Sequence, residues 1–135
     1  MLSISIAFCQ SNVQIKDILV SPVMLVDTIT NLPIESDIET LAVLCKVNDI
    51  SSVQNVQILF GTSEGNGDVL SINAEVTESA GNYFLSLNGE LLPLSGNIIS
   101  ANIELTQAQS EVYNYITMYV IDDAEQESNH LVFTK

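Results

Sequence analysis

Basic residues are nearly absent from this sequence. There is no arginine, and Lys16, Lys46 and Lys135 stand against 17 aspartates and glutamates, for a net charge of -14. Affinity for nucleic acid or anionic lipid rests on cationic side chains that displace counterions, so both classes of ligand are excluded. Tryptophan is missing, and histidine occurs once, at position 130, out of phase with Leu131 and Phe133 and therefore expected to face solvent. That leaves no buried, oriented base for a serine or cysteine nucleophile. One histidine and two cysteines, Cys9 and Cys45, make no ligand set for zinc. GTSEGNGD at 61–68 lacks the lysine and the following helix of a phosphate loop. No apolar run approaches the ~20 residues needed to cross a bilayer.

What is present is a chain of 135 residues, 47% hydrophobic with a mean hydropathy of +0.32. This is the size of one domain with a core of its own. Residues 1–10, MLSISIAFCQ, raise a separate question. Leu2, Ile4, Ile6, Ala7 and Phe8 form a short apolar stretch with no basic residue before it. It reads as the remnant of a truncated signal peptide, or else as a first strand alternating Leu2, Ile4 and Ile6 against Ser3, Ser5 and Ala7. A sandwich is complete without these residues, which favours the remnant and leaves 11–135 as a single domain. Removal of Cys9 then leaves Cys45, inside an apolar alternating run, as an unpaired buried residue. Twelve asparagines without one Asn-x-Ser/Thr sequon fit a bacterial exported protein.

Period-2 patterning organises the rest. Leu41, Val43, Cys45 and Val47 share one strand face; Val56, Ile58 and Phe60 share another, followed by a turn at 61–68 and Leu70, Ile72, Ala74 and Val76. Two alternating segments around a Gly-rich loop predict a hairpin. SAGN at 79–82 predicts a turn, Tyr83, Leu85 and Leu87 a strand, and NGELLPLSGN at 88–97 a loop. Ile99, Ala101, Ile103 and Leu105 form a further half-buried face, and TQAQSEV is a helical turn at most. Ile116, Met118 and Val120 face one way and Tyr115, Thr117, Tyr119 and Ile121 the other, and as both faces are rather apolar they predict a central strand; Leu131 and Phe133 mark the last one. Residues 13–27, interrupted by Pro22, predict an edge strand that breaks there and switches partner. Seven to eight strands at turn spacings of 8–14 residues, with no periodic helix, predict an all-β fold, an antiparallel two-sheet β-sandwich.

The segment VYNYITMYVIDDAEQESNHLVF at 112–133 resembles the last two strands of bacterial immunoglobulin-like and fibronectin type III-like domains. There, an apolar strand bearing tyrosines runs into an acidic loop and a short final strand. The sequence departs from the antibody pattern in having neither a tryptophan nor a bridging cysteine pair. The resemblance implies an Ig-like sandwich in which Tyr113 or Tyr115 takes the place of the corner tyrosine; amphipathic strand residues are the ordinary reading of both.

Acidic side chains invite calcium, a hard cation bound by oxygen. Glu64, Asn66, Asp68 and Glu75 have EF-hand spacing, but Val69 stands where that loop needs glycine, so the match is read as accidental. Asp122, Asp123, Glu125 and Glu127 crowd one inter-strand loop, for which a solvated acidic loop is the plain expectation. The residues therefore define no catalytic, cofactor or metal set. The function expected is a non-catalytic exported or cell-surface module for adhesion, binding or spacing. A calcium- or carbohydrate-binding accessory domain, kept open by Tyr83, Tyr113, Tyr115 and Tyr119, is the alternative, followed by a small acid/base glycosidase. The partner is a protein or surface ligand.

Overall fold

In the computed structural model the described residues are 11–24, 26–32 and 38–135. The opening ten residues, and with them the signal-remnant and Cys9 readings, lie outside these. The chain is all-β, with nine strands among the described residues: β1 (Ile15–Val23), β2 (Ile38–Val47), β3 (Val53–Gly61), β4 (Leu70–Ser79), β5 (Asn82–Leu87), β6 (Glu90–Leu94), β7 (Ile98–Thr106), β8 (Tyr115–Asp122) and β9 (Leu131–Thr134). One short helix, α1 (Gln107–Val112), joins β7 to β8. The strands form two antiparallel sheets, one ordered β1-β2-β7 and the other β6-β5-β4-β3-β8-β9.

The predicted faces are the ones that meet. Val43, Cys45, Ile99, Ile103 and Leu105 of the three-stranded sheet and Val56, Ile58, Phe60, Ile116, Met118 and Val120 of the other are essentially fully buried and belong to one core. Cross-strand pairs Val56 with Val120, Ile58 with Met118 and Phe60 with Ile116 set the register at its centre. A one-residue slip there would turn each of these side chains toward water. β8, apolar on both faces, is an interior strand flanked by β3 and β9.

Two readings are corrected. Residues 88–97 are not all loop, because Glu90–Leu94 forms β6 and raises the strand count above seven to eight. Asn88 and Gly89 both take positive φ, 52° and 82°, the geometry of the two-residue type I′ hairpin turn that Asn-Gly favours. Pro93 is accommodated because β6 is an edge strand and pairs only with β5. In β1, pairing with β2 continues through Pro22 to Val23. The irregularity falls earlier, between Lys16 and Leu19, where Asp17 has φ 58°. Ahead of β1 the Ser11 N–H donates to the carbonyl of Glu127, in the β8–β9 connection of the other sheet, at 3.0 Å.

Sheet widths decide what is left open. At about 4.8 Å per strand, three strands cover roughly 14 Å of a six-stranded sheet about 29 Å wide. The inner face of β4, β5 and β6 accordingly keeps Leu70, Ile72, Val76, Tyr83, Leu87, Leu92 and Leu94 only half-buried, with Ala74 and Leu85 alone sealed.

Candidate interaction surface

The acidic loop comes apart when its side chains are placed. Asp122 is buried and turned inward: it accepts from Ser11 Oγ at 2.5 Å and, through Oδ1, from the N–H groups of Ala124 and Gln126, each at 2.9 Å. These bonds, Ser11 first, hold its carboxyl below the usual aspartate range. Glu127 pairs with His130 Nε2 at 3.0 Å, and Asp123 and Glu125 are exposed. In the 61–68 turn Asp68 accepts from Thr62 N and Oγ1 at 2.9 and 2.8 Å, while Glu75 stands exposed in the middle of β4. The turn folds back on the sheet, where the Gly65 N–H donates to Thr117 Oγ1 at 2.8 Å and covers it. Among the described residues no three histidines, cysteines or acids gather as a metal would require.

Nucleophile and base are equally separate. Cys45 is fully buried and its thiol is pushed up to about 12 by desolvation. His130 is exposed, as its phase predicts, and stacks on Tyr119 with ring centroids 4.1 Å apart. Tyr113 caps the C-terminus of α1 and meets Phe60 edge-on at 5.2 Å, with the Lys135 ammonium 4.4 Å above its ring. Burial and the nearby charge of Glu39 raise its pKa. Among the described residues neither the Tyr113 nor the Tyr115 hydroxyl bonds back to the chain. The tyrosines do not make one platform: Tyr83 lies on β5 against the core, while Tyr115 and Tyr119 share a face of β8.

The antiparallel registers put the end of β1, the start of β2, α1 and the β5–β6 turn at one end of the sandwich, where the described residues 24 and 26–32 follow β1. Apolar side chains point into water there. Ile29 is 91% exposed, Met24 71% and Leu32 63%, and Val26 and Ile38 are also open. Ile29 and Leu32 sit on a well-bonded turn: Asp27 Oδ1 accepts from Ile29 N at 2.8 Å, the Asn31 N–H donates to the Asp27 carbonyl at 2.8 Å and the Asp27 N–H to the Leu32 carbonyl at 2.9 Å. Sequence reading overlooked these residues because apolar side chains are expected inside.

At the root of this connection, marked by Val23 and Thr40, lies a groove of about 850 Å³. It runs between β7 and the uncovered part of β4 to β6, with Leu70, Ile72, Leu87 and Leu92 on one wall and Asn102 to Glu104 on the other. Glu90 and Glu104 are its charged residues, and no lysine reaches it. A smaller cleft of about 390 Å³ at the opposite end holds Lys16 and Lys46; Lys46 pairs with Asp17 at 3.7 Å.

Fold and site thus define an all-β two-sheet sandwich with an open, acidic and apolar end. No family model, curated protein or solved structure matches the chain.

Proposed function

We propose that the protein is a non-catalytic binding module, an Ig-like sandwich of an exported or cell-surface protein, which engages a protein partner through the end bearing the β1–β2 turn and the groove. One observation carries the reading: Ile29 and Leu32 are exposed on a turn whose own hydrogen bonds hold them there, and Met24 is exposed just ahead of it. Several large apolar side chains exposed within one short connection are a mark of interaction sites. The chemistry-bearing side chains support the same reading, since Asp122 and Asp68 are spent on loop structure and Cys45 on the core.

The test is a photo-crosslinking side chain placed at position 28, beside the apolar tip, in the otherwise native chain and in the double variant I29S/L32S. The variant is expected to melt with the parent, because neither residue packs on the core, and to lose the crosslinked protein the parent captures. Equal capture by both chains overturns the reading. A calcium-dependent rise in melting temperature, or binding on a glycan array, would replace it with a metal-dependent or carbohydrate-binding accessory domain.

A further inference from the structure

The backbone of β7 carries an inference about how such a partner is held. β7 pairs with β2 in an unbroken register, Ile98 with Lys46 through Thr106 with Ile38. The Val47 N–H donates to the Asn97 carbonyl at 2.9 Å, so that carbonyl points toward β2, and with it the N–H and C=O of every second residue from Ile99 onward. The alternate residues point theirs away from the sheet. At the two ends these outward groups are occupied: the Ile98 N–H donates to Ser95 O at 3.3 Å, and the Thr106 N–H to Gln109 Oε1 at 2.9 Å. Between them Ser100, Asn102 and Glu104 have no partner for their outward N–H and C=O groups among the described residues.

The other edges are blunted. β1 is kinked at Asp17 and contains Pro22, β6 has five residues with Pro93 among them, and β9 has four. These are the devices by which sheets discourage a further strand. β7, nine residues long, has none of them, and its open edge forms a wall of the groove at Asn102, Ile103 and Glu104.

We propose that an extended, positively charged segment of a protein partner adds to β7 as a fourth strand of the smaller sheet. This rests on the binding-module reading and assigns its site and ligand chemistry. Strand addition supplies main-chain hydrogen bonds to Ser100, Asn102 and Glu104, and alternate side chains of the incoming segment fall on opposite faces. Those turned inward meet Leu70, Ile72, Leu87 and Leu92, which calls for apolar residues. Charge selects the remainder: Glu90 and Glu104 are the charged residues of the groove, in a chain of net charge -14, which calls for lysine or arginine. A second copy of this chain is disfavoured by the same charge.

The probe is an end-blocked peptide of alternating lysine and valine, long enough to span the three open residues, titrated into isotopically labelled full-length protein. Amide shifts are expected along β7 and the groove wall of β4 to β6. They should be absent with an alternating glutamate and valine peptide and weakened at least about tenfold by E104K at low salt. N102P removes an outward N–H and nothing that pairs with β2, so it should fold and lose the peptide. If that variant does not fold, E104K and a peptide with N-methylated alternate residues, which keeps the charge without the donors, decide the matter. Undiminished binding to N102P or of the methylated peptide, shifts centred on the 122–127 loop, or no shifts at millimolar peptide overturns the proposal. Loss of crosslinking in I29S/L32S alongside such a result would leave the binding-module reading standing and remove only the strand-addition site.

Discussion

The side-chain amide of Asn129 pairs with the backbone of Ile15 as a neighbouring strand would. Its Oδ1 accepts the Ile15 N–H at 2.9 Å, and its Nδ2 donates to the Ile15 carbonyl at 2.8 Å. The two residues are 114 positions apart and join the start of β1 to the β8–β9 connection of the other sheet. Ile15 is itself buried, so these backbone groups would have poor access to water if the amide were removed.

Asn129→Ala is therefore expected to destabilise the fold by about 1–3 kcal/mol, the range for orphaned buried polar groups. Asn129→Asp should be at least as damaging, because a carboxylate cannot donate to the Ile15 carbonyl. Urea denaturation of both variants checks this; a loss below about 0.5 kcal/mol in each would contradict the role assigned to the amide.

Asp122 predicts a pH dependence. Its carboxyl is held below the ordinary value of 3.8 by Ser11 and by the loop amides of Gln126 and Ala124. A lowered folded pKa means that the unfolded chain takes up a proton first on acidification. The stabilisation is complete above the ordinary aspartate range and is lost as pH falls through the folded value. The melting-temperature gap between the parent and Asp122→Ala should be widest above about pH 5 and should narrow as the pH drops below 4. A gap independent of pH would mean that the charged hydrogen bonds contribute nothing.

In the β4–β5 turn Ala80 has φ 53° and Gly81 φ 83°. The left-handed region penalises an alanine by about 1–2 kcal/mol, and asparagine tolerates it best among residues with a side chain. Ala80→Asn is expected to stabilise the protein by about 0.5–1 kcal/mol, seen as a higher melting temperature with unchanged sheet content by circular dichroism.

Cys45 should be silent toward thiol reagents in the native state. It has no exposed surface, and a thiol pushed up to about 12 holds almost no thiolate at neutral pH. In a chain carrying Cys9→Ser, labelling by a disulfide reagent should follow global unfolding and accelerate with urea. Rapid labelling in native buffer would place Cys45 outside the core.

Much of this architecture is legible in residue order. Leu41, Val43, Cys45 and Val47 alternate with Thr40, Ala42, Leu44 and Lys46, and all four are buried; Ile116, Met118 and Val120, backed by Tyr115, Tyr119 and Ile121, announce an interior strand. Local chemistry is enough there, because strand periodicity sorts a half-buried face from a wet one. The same kind of signal was present but outweighed at β6, where Pro93 and Gly96 suggested a loop although Asn88-Gly89 is a two-residue hairpin turn. The kink at Asp17 had no such signal, since an aspartate in the left-handed region looks like any other aspartate.

The candidate interaction surface depends on long-range pairing. Nothing in the order of residues says that β8 lies beside β3, that β2 lies beside β7, or that Asp122 turns inward to Ser11. Composition and alternation set the charge and the strand faces. The open edge at Ser100, Asn102 and Glu104, the groove beside it and the exposure of Ile29 arise only once strands far apart in the chain have chosen partners. A sheet of three strands then has to cover one of six, and the strands it cannot reach leave apolar surface at the rim.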